Sequence, residues 1–259
     1  MKHIRITIIL GLGFLFAAKA QFVEDRKNKI GIQAGFLQTY HKDVNFSPLN
    51  NTGNGYSFGL NYERSTQKKH LIFSTIHYSE SVLTSRASEF FRYDRYLLNF
   101  EIGFLFHKPL PNKNLILNIG GSFQSRTDLI DYKDFKSVSF FNYHGLALNS
   151  RLEYTINPKH SLGSALSVPV LGVLVRPPYT GWDKYMIENE DNFTKVLYKG
   201  KTTSLNDFFG YNWHVFYNYQ LSKRIGIQLQ YELRYHKTKQ PRKAIIANHQ
   251  TSVELNFKF

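Results

Sequence analysis

The chain has 259 residues, with 33 Lys or Arg against 19 Asp or Glu, a formal charge of +14 and no cysteine. The absence of cysteine excludes disulfides, thiolate chemistry and an anchor through a lipidated cysteine. The length suits one large domain.

The first 20 residues, MKHIRITIILGLGFLFAAKA, have a basic start (Lys2, Arg5), an apolar stretch over 6–16 and small residues at Ala18 and Ala20. This reads as a cleavable secretory signal over 1–20, with Gln21 the first mature residue. The apolar stretch is short for a bilayer span, which takes ~20 residues. Without this segment and its three basic residues the charge is +11. A secreted chain has no use for nucleic acid, and a cationic one suits anionic lipid head groups, lipopolysaccharide phosphates or acidic polysaccharide. No later segment has the length of a transmembrane helix; the longest apolar stretch, SVPVLGVLVRPPY, is interrupted by Pro169. Any membrane crossing must therefore use strands.

From residue 21 onward the dominant signal is period-two alternation. It predicts ten strands, near 29–40, 55–64, 70–79, 93–107, 114–126, 143–156, 161–175, 210–221, 225–236 and 245–259. In GYSFGLNYE, Tyr56, Phe58, Leu60 and Tyr62 oppose Ser57, Gly59, Asn61 and Glu63. In LLNFEIGFLF, Leu98, Phe100, Ile102, Phe104 and Phe106 oppose Asn99, Glu101 and Gly103. GLALNSRLEY sets Leu146, Leu148, Leu152 and Tyr154 against Asn149, Arg151 and Glu153. In IGIQLQYELRY, Ile225, Ile227, Leu229, Tyr231, Leu233 and Tyr235 share one face, and Gln228, Gln230, Glu232 and Arg234 the other. The final TSVELNFKF places Val253, Leu255, Phe257 and Phe259 against Ser252, Glu254, Asn256 and Lys258. None of these stretches has a sustained helical period.

The links sort into two kinds. STQKK, KPLPNKN, NPKH and SKR are short polar turns after every second strand, while the intervening links are longer, the longest spanning 177–207. Charged mid-strand residues could not sit unpaired in a soluble core. Short turns alternating with long links, polar inner faces, aromatics near strand ends and the terminal Phe259 resemble the outer-membrane β-barrel class of Gram-negative bacteria. The resemblance covers the whole mature chain, 21–259, as an architecture. It implies an all-β, transmembrane, antiparallel up-and-down barrel of about ten strands. It further implies short periplasmic turns, long extracellular loops, residence in the cell outer membrane and a monomeric state. Its partners would be outer-membrane lipid and lipopolysaccharide, with the barrel-assembly machinery reading the C-terminal strand.

Parity assigns Glu63, Glu101, Arg126, Arg151, Glu153, Glu232, Arg234 and Glu254 to the lumen, with Asn99, Gln228, Gln230, Asn256 and Lys258 beside them. Ten strands lie near the size at which side chains fill the bore. Mixed acids and bases there suit a structural network holding a largely occluded lumen, and a narrow path for small solutes is the functional alternative. The expected role is envelope or surface interaction, or restricted solute passage.

For an enzyme, His77 and Ser79 in STIHYSES stand two apart near the long-link end of strand three. They are similar to the His/Ser pair of barrel lipases and lipid A deacylases, in which His activates Ser against an ester reached from an outward wall. The residues after Ser79 are Glu80 and Ser81, where the deacylase pattern has Asn. Ten strands also resemble the omptin proteases. Here Asp94, Asp128, Asp131 and Asp134 read as outer-loop acids, with Lys133 and Lys136 as partners for the last three, and form no adjacent carboxylate pair. No metal site is expected, because His144 and His214 lack companions at ligand spacing, and no cofactor is expected. The long link offers Arg176, Tyr179 and Trp182 as a recognition surface, and its TKVLYKGKTT portion a short extracellular hairpin.

Overall fold

The computed structural model describes residues 27–45, 47–85, 87–132, 137–176, 188, 191, 192, 195 and 198–259. The secretory signal expected over 1–20 lies outside them.

The strands are β1 (Asn28–Asp43), β2 (Ser47–Ser65), β3 (Leu71–Ser85), β4 (Ser88–Lys108), β5 (Leu115–Tyr132), β6 (Ser137–Asn157), β7 (His160–Val175), β8 (Lys201–Ser204), β9 (Phe208–Gln220), β10 (Ile225–Thr238) and β11 (Ala244–Lys258). Each pairs antiparallel with its neighbour, β1 pairs with β11, and β6 pairs with β7, so ten strands close into a barrel. Closure pairs both edges of the strands around the ring, save a short stretch of β7 at 168–170, and so meets the condition for crossing lipid with strands. The eleventh strand, β8, continues the wall beside the upper part of β7, pairing Leu171–Leu174 with Ser204–Lys201. The hairpin expected in this stretch is instead a strand added to the barrel wall.

Burial follows parity. Outward side chains form an exposed apolar belt, with Leu60 51% and Leu148 62% accessible, while Gln33, Ser57, Arg126, Gln228 and Glu254 on the opposite faces are buried. This is the inverse of a soluble domain, and so large an apolar surface needs lipid against it.

The four short turns fall at 66–70, 109–114, 158–159 and 221–224. In the first, Thr66 and His70 pair through the backbone at 2.8 Å and Lys69 takes a left-handed φ of 62°. On the other side the expected long loops are mostly strand. β2, β4 and β6 have 19, 21 and 21 residues, roughly twice the ~9–11 that span a bilayer. Their upper ends rise above the belt as a collar of hairpins. Sequence alternation stops at the belt because only lipid demands it; backbone pairing continues without it.

Leu148 lies in the middle of the belt, so Leu148→Arg is expected to cost about 2–4 kcal/mol of folding free energy. Urea titration in lipid vesicles measures it, and a cost below about 0.5 kcal/mol, the range of ordinary surface substitutions, would place Leu148 outside the hydrocarbon.

Candidate functional site in the barrel lumen

All eight charged residues assigned to the lumen point into it, in layers along the axis. At the periplasmic end, Glu63 of β2 binds Lys29 of β1 at 2.8 Å and Arg151 of β6 at 2.7 Å. Arg151 also reaches Glu153 at 3.3 Å, and Ser161 donates to Glu153 at 2.7 Å. The Arg151 guanidinium lies over the Phe216 ring, 4.8 Å from its centroid. Gly163 makes room for that ring, since a Cβ at 163 would overlap it. Below this layer a vestibule of about 350 Å³ is bounded by turn and rim residues, among them Lys27, Lys159 and Lys258.

Above it lies a cavity of about 160 Å³, bordered by His77, Glu101, His214, Glu232 and Arg234. Glu232 and Arg234 pair with each other. Glu101 has neutral donors, Ser122 at 2.6 Å, Gln124 at 3.1 Å and Asn149 at 3.3 Å. Glu254 accepts from the Asn61 amide.

The outer end of the cavity is closed by a cross-lumen contact. Arg95 of β4, 1% exposed, gives Nε and Nη2 to the two carboxylate oxygens of Asp128 on β5, at 2.7 and 2.6 Å. Its Nη1 crosses the bore to Asn248 on β11 at 2.9 Å and Thr39 on β1 at 3.2 Å. Arg126 adds a third bond to Asp128, at 3.1 Å. Leu83, Tyr93, Ile130 and Tyr132 pack in one cluster toward the outer rim, with the two tyrosine rings 4.9 Å apart edge to face.

Several sequence-based placements change. Asp128 is a buried strand residue at the plug, because β5 runs on to Tyr132 and its Gln124, Arg126, Asp128 parity continues inward. Asp94 and Asp131 are register partners on β4 and β5, so adjacent outer carboxylates do exist. Asp134, Lys133 and Lys136 lie outside the described residues, as do Tyr179 and Trp182. Arg176 is 7% exposed and binds Asp43 and the backbone oxygens of Gln240 and Arg242. It anchors the root of the long link to two neighbouring hairpins and is not presented for recognition.

His77 and Ser79 face the lumen, whereas Ile76 and Tyr78 face out. The outward wall needed for attack on a lipid ester is therefore not theirs. His77 Nε2 bonds Asn61 Oδ1 at 3.0 Å. A different pair meets: Ser125 Oγ on β5 and His144 Nδ1 on β6 lie 2.9 Å apart, on the outside near the upper margin of the belt. The Tyr198 ring packs on that imidazole at 4.4 Å. Both strands are paired on both edges there, which commits the flanking N–H groups to the sheet and leaves no backbone oxyanion hole in these two strands. Among the described residues no three His, Asp or Glu side chains group as a metal site.

No family model matches the chain, and no curated protein matches it. Solved structures do. The outer membrane protease OmpT from Escherichia coli aligns over 93% of this chain and 99% of its own, at 8% identity and a TM-score of 0.52. The transport unit of the autotransporter AIDA-I from Escherichia coli aligns over 94% of both chains at 8% identity, with a TM-score of 0.43. The attachment invasion locus protein Ail of Yersinia pestis covers 89% of this chain and 99% of its own at 10% identity, with a TM-score of 0.37. The closed ten-strand barrel and its lipid-facing belt define an outer-membrane β-barrel protein. The likeness carries the fold and no activity.

Breaking the plug tests its weight. Arg95→Met leaves Asp128 buried with Arg126 as its remaining cation and is expected to cost about 3–5 kcal/mol. Glu153→Gln, at the wetter rim, should stay within about 1 kcal/mol. Equal costs in urea titration would mean that the Arg95 fork is not what fixes the bore.

Proposed function

We propose that this protein is a sealed outer-membrane barrel that acts by binding at its envelope faces, without through-conduction and without hydrolysis. The observation that carries this is the Arg95 fork, which joins β4 to Asp128, Thr39 and Asn248 across the bore. Opening a water path there breaks the two charged hydrogen bonds that Nη1 makes to the far wall. At about 1.5–3 kcal/mol each, the open fraction is on the order of 10⁻² to 10⁻⁴. The vestibule and the collar are then the two faces left for partners. Lys27, Lys159 and Lys258 at the vestibule suit anionic groups on the periplasmic side. On the outer side, lipopolysaccharide phosphates meet the cationic chain.

The hydrolase reading loses its outward nucleophile with His77 and Ser79 turned inward, and Ser125 lacks backbone oxyanion donors on its own and neighbouring strands. The protease reading rests only on a fold shared with OmpT and on the register pair Asp94 and Asp131.

Two measurements check this. In a planar bilayer, verified insertions of the mature protein should stay silent, and Arg95→Ala should produce resolvable steps. Steady steps from the unmodified protein would replace the sealed barrel with a narrow pore. In mixed micelles, phospholipid esters should remain intact; hydrolysis abolished by Ser79→Ala or Ser125→Ala would make the protein an enzyme.

A further inference from the structure

The barrel wall is interrupted at one place. β7 pairs with β9 from His160 up to Ser167, opposite Asn212, and with β8 only from Leu171, opposite Ser204. Val168, Pro169 and Val170 have no ladder partner on that edge. Across the gap, Phe208–Tyr211 of β9 pair with β10 and not with β7. The other edge of β7 bulges at the same point, since Leu146 opposes Leu171 while Ala147 opposes Pro169, skipping Val170. Pro169 has no N–H with which to continue a ladder.

The gap lies within the lipid-facing belt. Leu146, Leu148, Leu166 and Leu171 around it are each at least 41% exposed on the outside. Unpaired strand backbone at membrane depth is tolerated where it is buried in protein or borders a cavity. It does so here: the 160 Å³ cavity is bordered by Leu166, Ser167 and Pro169 of β7 and by Phe208, Tyr211 and Asn212 of β9. The cavity therefore lies behind the gap, with the buried Phe208 ring, stacked on Tyr143, at its margin.

We infer that the β7–β9 gap is a lateral portal, through which a small lipid-dissolved molecule passes between the bilayer and the lumen cavity. The guest has an apolar body about the size of one ring, since a cavity near 150 Å³ holds benzene. Its body would rest on Phe73, Leu105 and Phe216, and a polar end would meet the Arg234 and Glu232 side of the cavity. The Arg95 plug bars the outer mouth, so the lipid side supplies an entrance that the axis does not. This goes beyond the sealed-barrel reading, and an uncharged probe delivered from lipid tests it independently of conductance.

The probe is a phenyl diazirine dissolved in the vesicle lipid, which forms a carbene on illumination and inserts into nearby residues. Peptide mapping should find label on inward Ala165, Ser167 and Phe216 as well as on the outer belt. Val168 and Tyr211 are the next residues beyond the last ladder pair, Ser167 and Asn212, so Val168→Cys with Tyr211→Cys staples the gap in a chain that has no other cysteine. A short bis-maleimide bridges the same two thiols if the disulfide does not close. The staple should lower inward labelling at least tenfold, the disulfide form should regain it on reduction, and a heat-dependent gel shift should certify the folded barrel throughout. Absent inward label in the unmodified protein, or inward label unchanged by the staple, would overturn the portal.

Discussion

Arg95 is the residue around which the lumen is organised. A guanidinium held at 1% exposure must find partners for its donors or lose several kcal/mol of desolvation energy. Two of its bonds go to one neighbour, Asp128, in the parallel geometry that makes the pair strong. The third nitrogen reaches strands on the far side of the barrel. Circumference alone leaves a ten-strand bore room to breathe; a rigid fork tied to opposite walls removes that freedom and excludes water at the same height.

Much else follows from that closure. The remaining lumen is divided into a periplasmic vestibule and an inner cavity, with the Glu63–Arg151 pair between them. The layers differ in chemistry. The lower one holds ion pairs near water, while the middle one combines the Glu232–Arg234 pair with Glu101 and Glu254, which are satisfied by neutral amides and hydroxyls. A chamber closed above and lined by both rings and charges suits retention of a guest better than flow. The interrupted wall beside Pro169 stands next to that chamber.

Particular residues show how far the sequence could be read. Strict alternation made Glu232 and Arg234 lumenal and Leu229 and Tyr231 lipid-facing, because a period-two chain in lipid has one acceptable orientation. The strand ends were harder. Above the belt water satisfies either face, the pattern fades, and β5 looked finished at Arg126 when it continues through Asp128. Arg176 looked like loop surface because nothing local reveals that Asp43 and two carbonyls from the 240–242 link surround it.

By itself the sequence determined the barrel, its approximate strand count and, where alternation is strict, which side chains face inward, because each depends on neighbours one or two positions apart. The tertiary structure decided who meets whom. Arg95 finds its partners 33, 56 and 153 residues away, and Ser125 meets His144 in place of the His77 and Ser79 juxtaposition that spacing suggested. Strand register and ring closure fix those meetings, and both are set by pairing energies summed over the whole wall. No short stretch of sequence holds that sum.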